Sequence, residues 1–85
     1  MIAATKQTNQ QITESLAHYI IAKFEWVNGY KTYTETNRID FTYDYAGLGA
    51  ILQDEVHKFI EEIAPDKGFR SKLIYSDLCL VVELS

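Results

Sequence analysis

Apolar residues recur along this chain with two different periods, and the switch between them predicts the elements. From about Asn9, Ile12, Leu16, Tyr19 and Ile20 repeat every three or four positions, one face of a helix capped by Thr8 or Asn9. Carried on to Val27, that helix would put Lys23 in the middle of its apolar stripe, so its end is placed near Ile21.

From Phe24 the period becomes two. Asn28-Gly29 is the preferred pair for a two-residue type I′ hairpin turn, which needs positive φ at both positions. With that turn, Phe24, Trp26 and Tyr33 share one face, while Lys23, Glu25, Thr32 and Thr34 share the other. The alternation continues through Ile39, Phe41 and Tyr43, with Asp40, Thr42 and Asp44 opposite. Residues 30–44 are long for one strand, so a break is expected around Thr36-Asn37-Arg38.

The clearest helix runs from about Leu48 to Ile63. Leu48, Ile51, Leu52, Val56, Phe59, Ile60 and Ile63 make its apolar arc; Gln53, Asp54, His57, Lys58, Glu61 and Glu62 lie opposite. Pro65 and Gly68 end it. In the tail, Leu78, Leu80, Val82 and Leu84 face one way and Cys79 and Val81 the other, which predicts a strand buried on both sides and therefore central. Ser76-Asp77 is either a second turn or a kink in a single strand.

The whole predicts an α+β fold: a small antiparallel sheet of three to five strands with two helices packed on one face, in the order α-β-β(-β)-α-β(-β). Residues 1–85 form a single compact domain, with residues 1–8 a loose N-terminal segment. No internal repeat, low-complexity tract or linker is visible.

Composition narrows the function. At 47% hydrophobic and 24% charged, the chain is globular rather than disordered. A single cysteine forms no internal disulfide, and nothing ties the chain to an oxidising compartment, so a cytoplasmic setting is expected. No stretch approaches the roughly 20 apolar residues that cross a bilayer. Eight basic against twelve acidic residues give a net charge of −4, which disfavours direct binding to nucleic acid or anionic membrane.

Chemistry-bearing residues are sparse. His18 and His57 each have a glutamate one turn away, Glu14 and Glu61, but no H-E-x-x-H or second cysteine builds a metal or acid–base site around them. Cys79 lies in an apolar run and reads as a small buried hydrophobe. Gly47-Leu48-Gly49 before a helix superficially suits a phosphate, yet no basic residue lies within reach in sequence and Asp44 precedes it, so a tight turn into the helix is expected. No catalytic residue, metal or cofactor is expected, and an enzyme built on His57 and a carboxylate is the least favoured reading.

What remains is surface. Asp54, Glu55, Glu61 and Glu62 form the densest acidic region, either a solvated face or a docking surface for a basic groove on a protein partner. Eight of the eleven aromatic rings lie between Tyr19 and Tyr45, more than one sheet face readily hides. Tyr30, Tyr45 and Trp26 are the rings expected to make contact.

The order helix, three strands, helix is similar to that of the double-stranded-RNA-binding domain. Such domains grip phosphates with lysines at the start of the second helix. Here that stretch reads "GLGAILQDEVHK", with Asp54 and Glu55 and no lysine before Lys58, so RNA binding by that route is not expected. In general form (small, acidic, ring-rich) the chain is similar to phage-encoded inhibitors of host enzymes. The expectation is a non-enzymatic protein that binds a protein partner as an inhibitor or accessory subunit. The alternative is a structural homo-oligomer, with a homodimer its simplest form.

Overall fold

The structure, a computed structural model, describes residues 8–85. Helix α1 (Asn9–Lys23) is followed by strands β1 (Val27–Tyr33) and β2 (Arg38–Tyr43), helix α2 (Gly49–Ile63), and strands β3 (Phe69–Ile74) and β4 (Cys79–Leu84). The four strands form one antiparallel sheet in the order β1-β2-β4-β3. Residues 30–44 and 70–84 are thus two strands each, and β4 is interior as expected, but its burial is one-sided apart from Cys79, since Val81 and Glu83 are half-exposed on the open face. The expected loose segment, residues 1–8, lies outside the described residues except for Thr8. That residue caps α1: its hydroxyl accepts from the Gln11 amide at 3.1 Å, and the Gln11 side chain accepts from the Thr8 amide at 2.9 Å.

Both helices cover one face of the sheet. Ile12, Leu16, Ala17 and Ile20 of α1 and Leu52, Val56 and Ile60 of α2 close on Ile39, Phe41 and Tyr43 of β2 and Leu80, Val82 and Leu84 of β4, in one buried cluster. Each buried Ile, Leu, Val or Phe among them contributes about 1.5–3 kcal/mol by leaving water. Arg38, Asp40 and Thr42 of β2 and Val81 and Glu83 of β4 alternate with them and face the uncovered side.

The predicted turn at Asn28-Gly29 is corrected by the structure. No glycine has positive φ, and β1 runs straight through this pair with only a bulge in register between Val27 and Gly29. The chain reverses instead after a 3₁₀ turn at Thr34–Thr36, where Asn37 takes the left-handed conformation at φ 51. Asn28 spends its side chain sideways: its Nδ2 donates to Asp44 at 2.8 Å and its Oδ1 accepts from the Thr42 hydroxyl.

Nor does α1 stop at Ile21. Lys23 is accommodated because its ammonium leaves the apolar stripe to meet Glu55 at 2.9 Å and the Tyr19 hydroxyl at 3.1 Å. With the turn moved, the faces change hands. Tyr33 pairs with Arg38 on the uncovered side, and Tyr30 pairs with Phe41 on the helix side.

The same unit occurs twice, although no sequence repeat announces it. A helix, a strand, a 3₁₀ turn, a left-handed residue and a strand recur in each half, with Leu78 at φ 49 standing where Asn37 stands in the first. The central β2–β4 register maps onto itself under this exchange: Ile39 faces Val82, and Phe41 faces Leu80. Only the burial pattern is retained between halves. Ile12, Leu16 and Ile20 stand where Leu52, Val56 and Ile60 do.

Candidate functional site

Three short segments meet at one end of the sheet. The turn from α1 into β1 holds Phe24, Glu25 and Trp26, with the Val27 amide donating to the Phe24 carbonyl at 3.2 Å. The link from β2 to α2 begins at Asp44, whose amide donates to the Trp26 carbonyl at 2.9 Å. It passes through a 3₁₀ turn at Ala46–Leu48, closed by Leu48 N–H on the Tyr45 carbonyl at 3.0 Å. The β3–β4 turn, Tyr75–Asp77, is joined to β2 by Tyr43 N–H on the Leu78 carbonyl at 3.0 Å. Backbone bonds therefore fix all three segments, leaving their side chains to project.

Those side chains are aromatic and acidic. Tyr45 is 65% exposed, Tyr75 63%, and Ile51 in the first turn of α2 52%. Phe24 and Trp26 are half-buried with ring centroids 4.6 Å apart, and Trp26 meets Tyr43 edge-on at 6.5 Å. Glu25, Asp44 and Asp77 are exposed beside them, and residues 24–26, 44–48 and 75–78 include no basic side chain. Rigid backbone presenting tyrosines and a tryptophan loses little side-chain entropy on contact, the property that makes these residues frequent anchors of protein interfaces.

Beneath this end, Tyr43 is buried with a hydroxyl that has no hydrogen-bond partner among the described residues. Burial raises its pKa above the usual phenol value. The ring lies against the start of α2 so closely that a Cβ on Gly49 would fall 2.5 Å from the hydroxyl oxygen. The tight turn expected at Gly47-Leu48-Gly49 is thus a packing requirement at Gly49, while Gly47 faces open space.

The candidate residues divide. Trp26 and Tyr45 come together at this end. Tyr30 stands apart on edge strand β1, 46% exposed over Phe41. Glu55 is occupied: its carboxylate accepts from Tyr19 at 2.6 Å and pairs with Lys23 at 2.9 Å, tying α2 to α1. The Tyr19 hydrogen bond and then Lys23 hold its pKa below the usual carboxylate value. Asp54 is exposed, with Lys58 at 3.0 Å. Glu61 and Glu62 are exposed near the far end of α2, about 18 Å along the helix from its first residue at 1.5 Å per residue. The acidic helix and the rings are therefore separate features.

Sequence reasoning passed over Tyr75, Asp77 and Ile51. Tyr75-Ser76-Asp77 between two apolar runs carries a turn signal that would have found the first two; Ile51 was assigned to the apolar arc and lies outside it. His57 was placed on the solvent side of α2 and is instead half-buried against β3. Its Nε2 lies 2.7 Å from the Ser71 hydroxyl, which also accepts from Gln53 at 2.9 Å, and the Phe69 ring meets the imidazole edge-on at 4.9 Å. A serine beside an imidazole is half of a nucleophile–base arrangement, but that chemistry also needs a group orienting the second ring nitrogen. No such bond occurs among the described residues; the trio links α2 to β3 through Ser71.

Cys79 is buried on the uncovered side of the sheet, and burial raises its thiol pKa, which suppresses the reactive thiolate. Among the described residues no group of three His, Cys, Asp or Glu side chains could hold a metal ion, and no helix is long and apolar enough to cross a membrane. Comparison with protein-family models, with curated proteins and with solved structures returns no match to this chain.

Proposed function

We propose that this chain is a non-enzymatic binding protein that acts by occupying a protein partner, as an inhibitor or accessory subunit. The observation that carries this reading is the placing of Tyr45 and Tyr75, each more than half exposed, on backbone-fixed turns at the same end of the sheet as half-buried Trp26, with exposed Ile51 in the first turn of α2. Large rings left in water on a rigid support cost solubility, and an interface is the ordinary reason to keep them there. Glu25, Asp44 and Asp77 select a partner surface that is basic at its rim and apolar at its centre.

The acidic face of α2, with exposed Asp54, Glu61 and Glu62, lies apart from the rings and adds long-range attraction toward a basic surface without being part of the contact. A groove built to hold phosphates is one such surface, and this supports the finer reading of a phage-type inhibitor of a host nucleic-acid enzyme. A lone thiol suits a cytoplasmic setting for that encounter.

The test is affinity capture from a native extract with three baits: the natural chain, Tyr45→Ala/Tyr75→Ala, and Glu61→Lys/Glu62→Lys. A protein retained by the first and third and lost by the second supports the ring-bearing end as the contact. Retention by all three, or loss only in the third, overturns that assignment.

The second reading, a structural homo-oligomer, is favoured by the open outer edges of β1 and β3, which leave backbone groups free to pair with another copy. Sedimentation decides it: a strict monomer at tens of micromolar excludes it.

A further inference from the structure

The uncovered side of the sheet has a chemistry opposite to that of the rest of the molecule. Four of the eight basic residues, Lys31, Arg38, Arg70 and Lys72, stand on it beside two of the twelve acidic ones, Asp40 and Glu83. Asp40 is taken by Arg38 in a two-pronged pair at 2.7 Å, and the Arg38 guanidinium lies 4.5 Å from the centre of the Tyr33 ring. As a guanidinium, Arg38 is permanently charged, and the Asp40 hydrogen bonds raise its pKa further.

Glu83 is only loosely held, 3.7 Å from an Arg70 side chain that is 83% exposed. Lys72 is exposed and has no ion pair among the described residues. Between these cations, half-buried Ile74 and Val81 floor a groove of about 390 Å³ along β3 and β4.

Edge strands often carry lysine to block pairing with another sheet. That accounts for Lys31 on β1 and for one cation on β3. It does not account for a second cation on six-residue β3, nor for Arg38 on interior strand β2.

We propose that this face docks an extended acidic segment of a protein partner. Every second side chain of that segment faces the sheet, and among these the carboxylates meet Arg70, Lys72 and Arg38 while the apolar ones lie on Ile74 and Val81. Arginine takes a carboxylate through two parallel hydrogen bonds, and an extended chain repeats its side chains about every 7 Å, the repeat of the strands beneath it. A single-stranded nucleic acid is the less suitable occupant. Such strands are held by bases stacking on exposed rings, whereas this face has one ring, Tyr33, already covered by Arg38. A net charge of −4 also repels a long polyanion.

The surface is distinct from the ring-bearing end, and each can fail without the other. The test uses the full chain, isotope-labelled for amide NMR and titrated with a ten-residue peptide of repeating Glu-Ser-Val-Ser, which in extended form presents Glu and Val on one face. The same peptide with Lys in place of Glu and a thymidine oligonucleotide are the comparison probes. The expected result is amide shifts confined to β2, β3 and β4, with affinity falling about tenfold in Arg70→Glu/Lys72→Glu. The milder Arg70→Gln/Lys72→Gln should show a smaller loss, and binding should weaken several-fold between about 50 and 300 mM salt. Tighter binding of the oligonucleotide, equal binding of the lysine peptide, unchanged affinity in the variants, or no shifts with the glutamate peptide would each overturn the proposal.

Discussion

Gly49→Ala is the substitution on which packing and backbone arguments disagree most sharply. The residue sits in ordinary helical conformation, φ −59 and ψ −42, so on backbone grounds alone alanine should stabilise α2 by about 0.5–1 kcal/mol. The new methyl, however, would stand 2.5 Å from the Tyr43 hydroxyl oxygen and 3.0 Å from both Tyr43 Cζ and Leu73 Cδ2. Tyr43 is buried and held by Trp26, and overpacking of this kind typically costs about 1–3 kcal/mol. The net expectation is a loss of about 1 kcal/mol, or roughly 4–8 °C in melting temperature for a domain of this size.

Gly47→Ala is the control, because its methyl meets nothing within 4 Å and the backbone φ is not positive; it should be neutral or slightly stabilising. Tyr43→Phe removes a buried hydroxyl that has no partner among the described residues, so it should leave stability unchanged or raise it by up to about 1 kcal/mol. In the Gly49→Ala background it should recover part of the loss, but not all, since Cζ remains close. Urea unfolding followed by circular dichroism reads all four proteins. If Gly49→Ala matches Gly47→Ala, or shows no coupling to Tyr43→Phe, the packing at the start of α2 is not as described.

Three further outcomes follow from the same geometry. Gly29→Ala should be tolerated, its methyl 3.5 Å from Thr42 Oγ1 on a backbone without positive φ, whereas Asn37→Ala should cost about 1 kcal/mol in urea unfolding; the reverse order would restore the turn to Asn28-Gly29. Glu55→Gln should lower the urea midpoint at pH 7 by weakening the bonds from Tyr19 and Lys23. Because the folded carboxyl pKa lies below the unfolded value, this stabilisation is present above the unfolded pKa and is lost as pH falls through the folded one. The gap between the two proteins should therefore close below about pH 4, and a gap that persists there would contradict the ionic origin. Tyr45→Ala/Tyr75→Ala should change unfolding free energy by less than about 0.5 kcal/mol per site, since both rings project into water; a larger loss would show them to be structural.

The periods of the apolar positions were enough to read two helices, the antiparallel sheet and the central place of β4, because burial imposes those periods directly. The turn at Asn28-Gly29 misled because two signals agreed locally and the deciding one was distant. Lys23 reads as a charge stranded in the apolar stripe until Glu55, on the other helix, gives its ammonium a partner. Asn37 carries the reversal with a residue far less suggestive than Asn-Gly, and Leu78 does so with none of the usual turn chemistry. Once the reversal moves, Tyr33 and Tyr30 exchange faces, and the allocation of rings along β1 changes with them. Tyr45 remained a candidate on either register because it lies outside the strands, whereas Trp26, read as part of a strand, stands in the turn before β1. Their neighbour Tyr75 comes from the other half of the chain, and no local pattern ties residues 24–26 to 75–78. Glu55, one of four similar carboxylates in the sequence, becomes structural only because Tyr19 faces it.

Amide hydrogen exchange on the complex with the captured partner tests the central claim most directly. Slowed exchange across residues 24–26, 44–51 and 75–78, with the outer face of α2 near Glu61 and Glu62 unchanged, is the footprint expected if the clustered rings make the contact. Protection centred on residues 58–66, with the three turns exchanging as in the free protein, would contradict it.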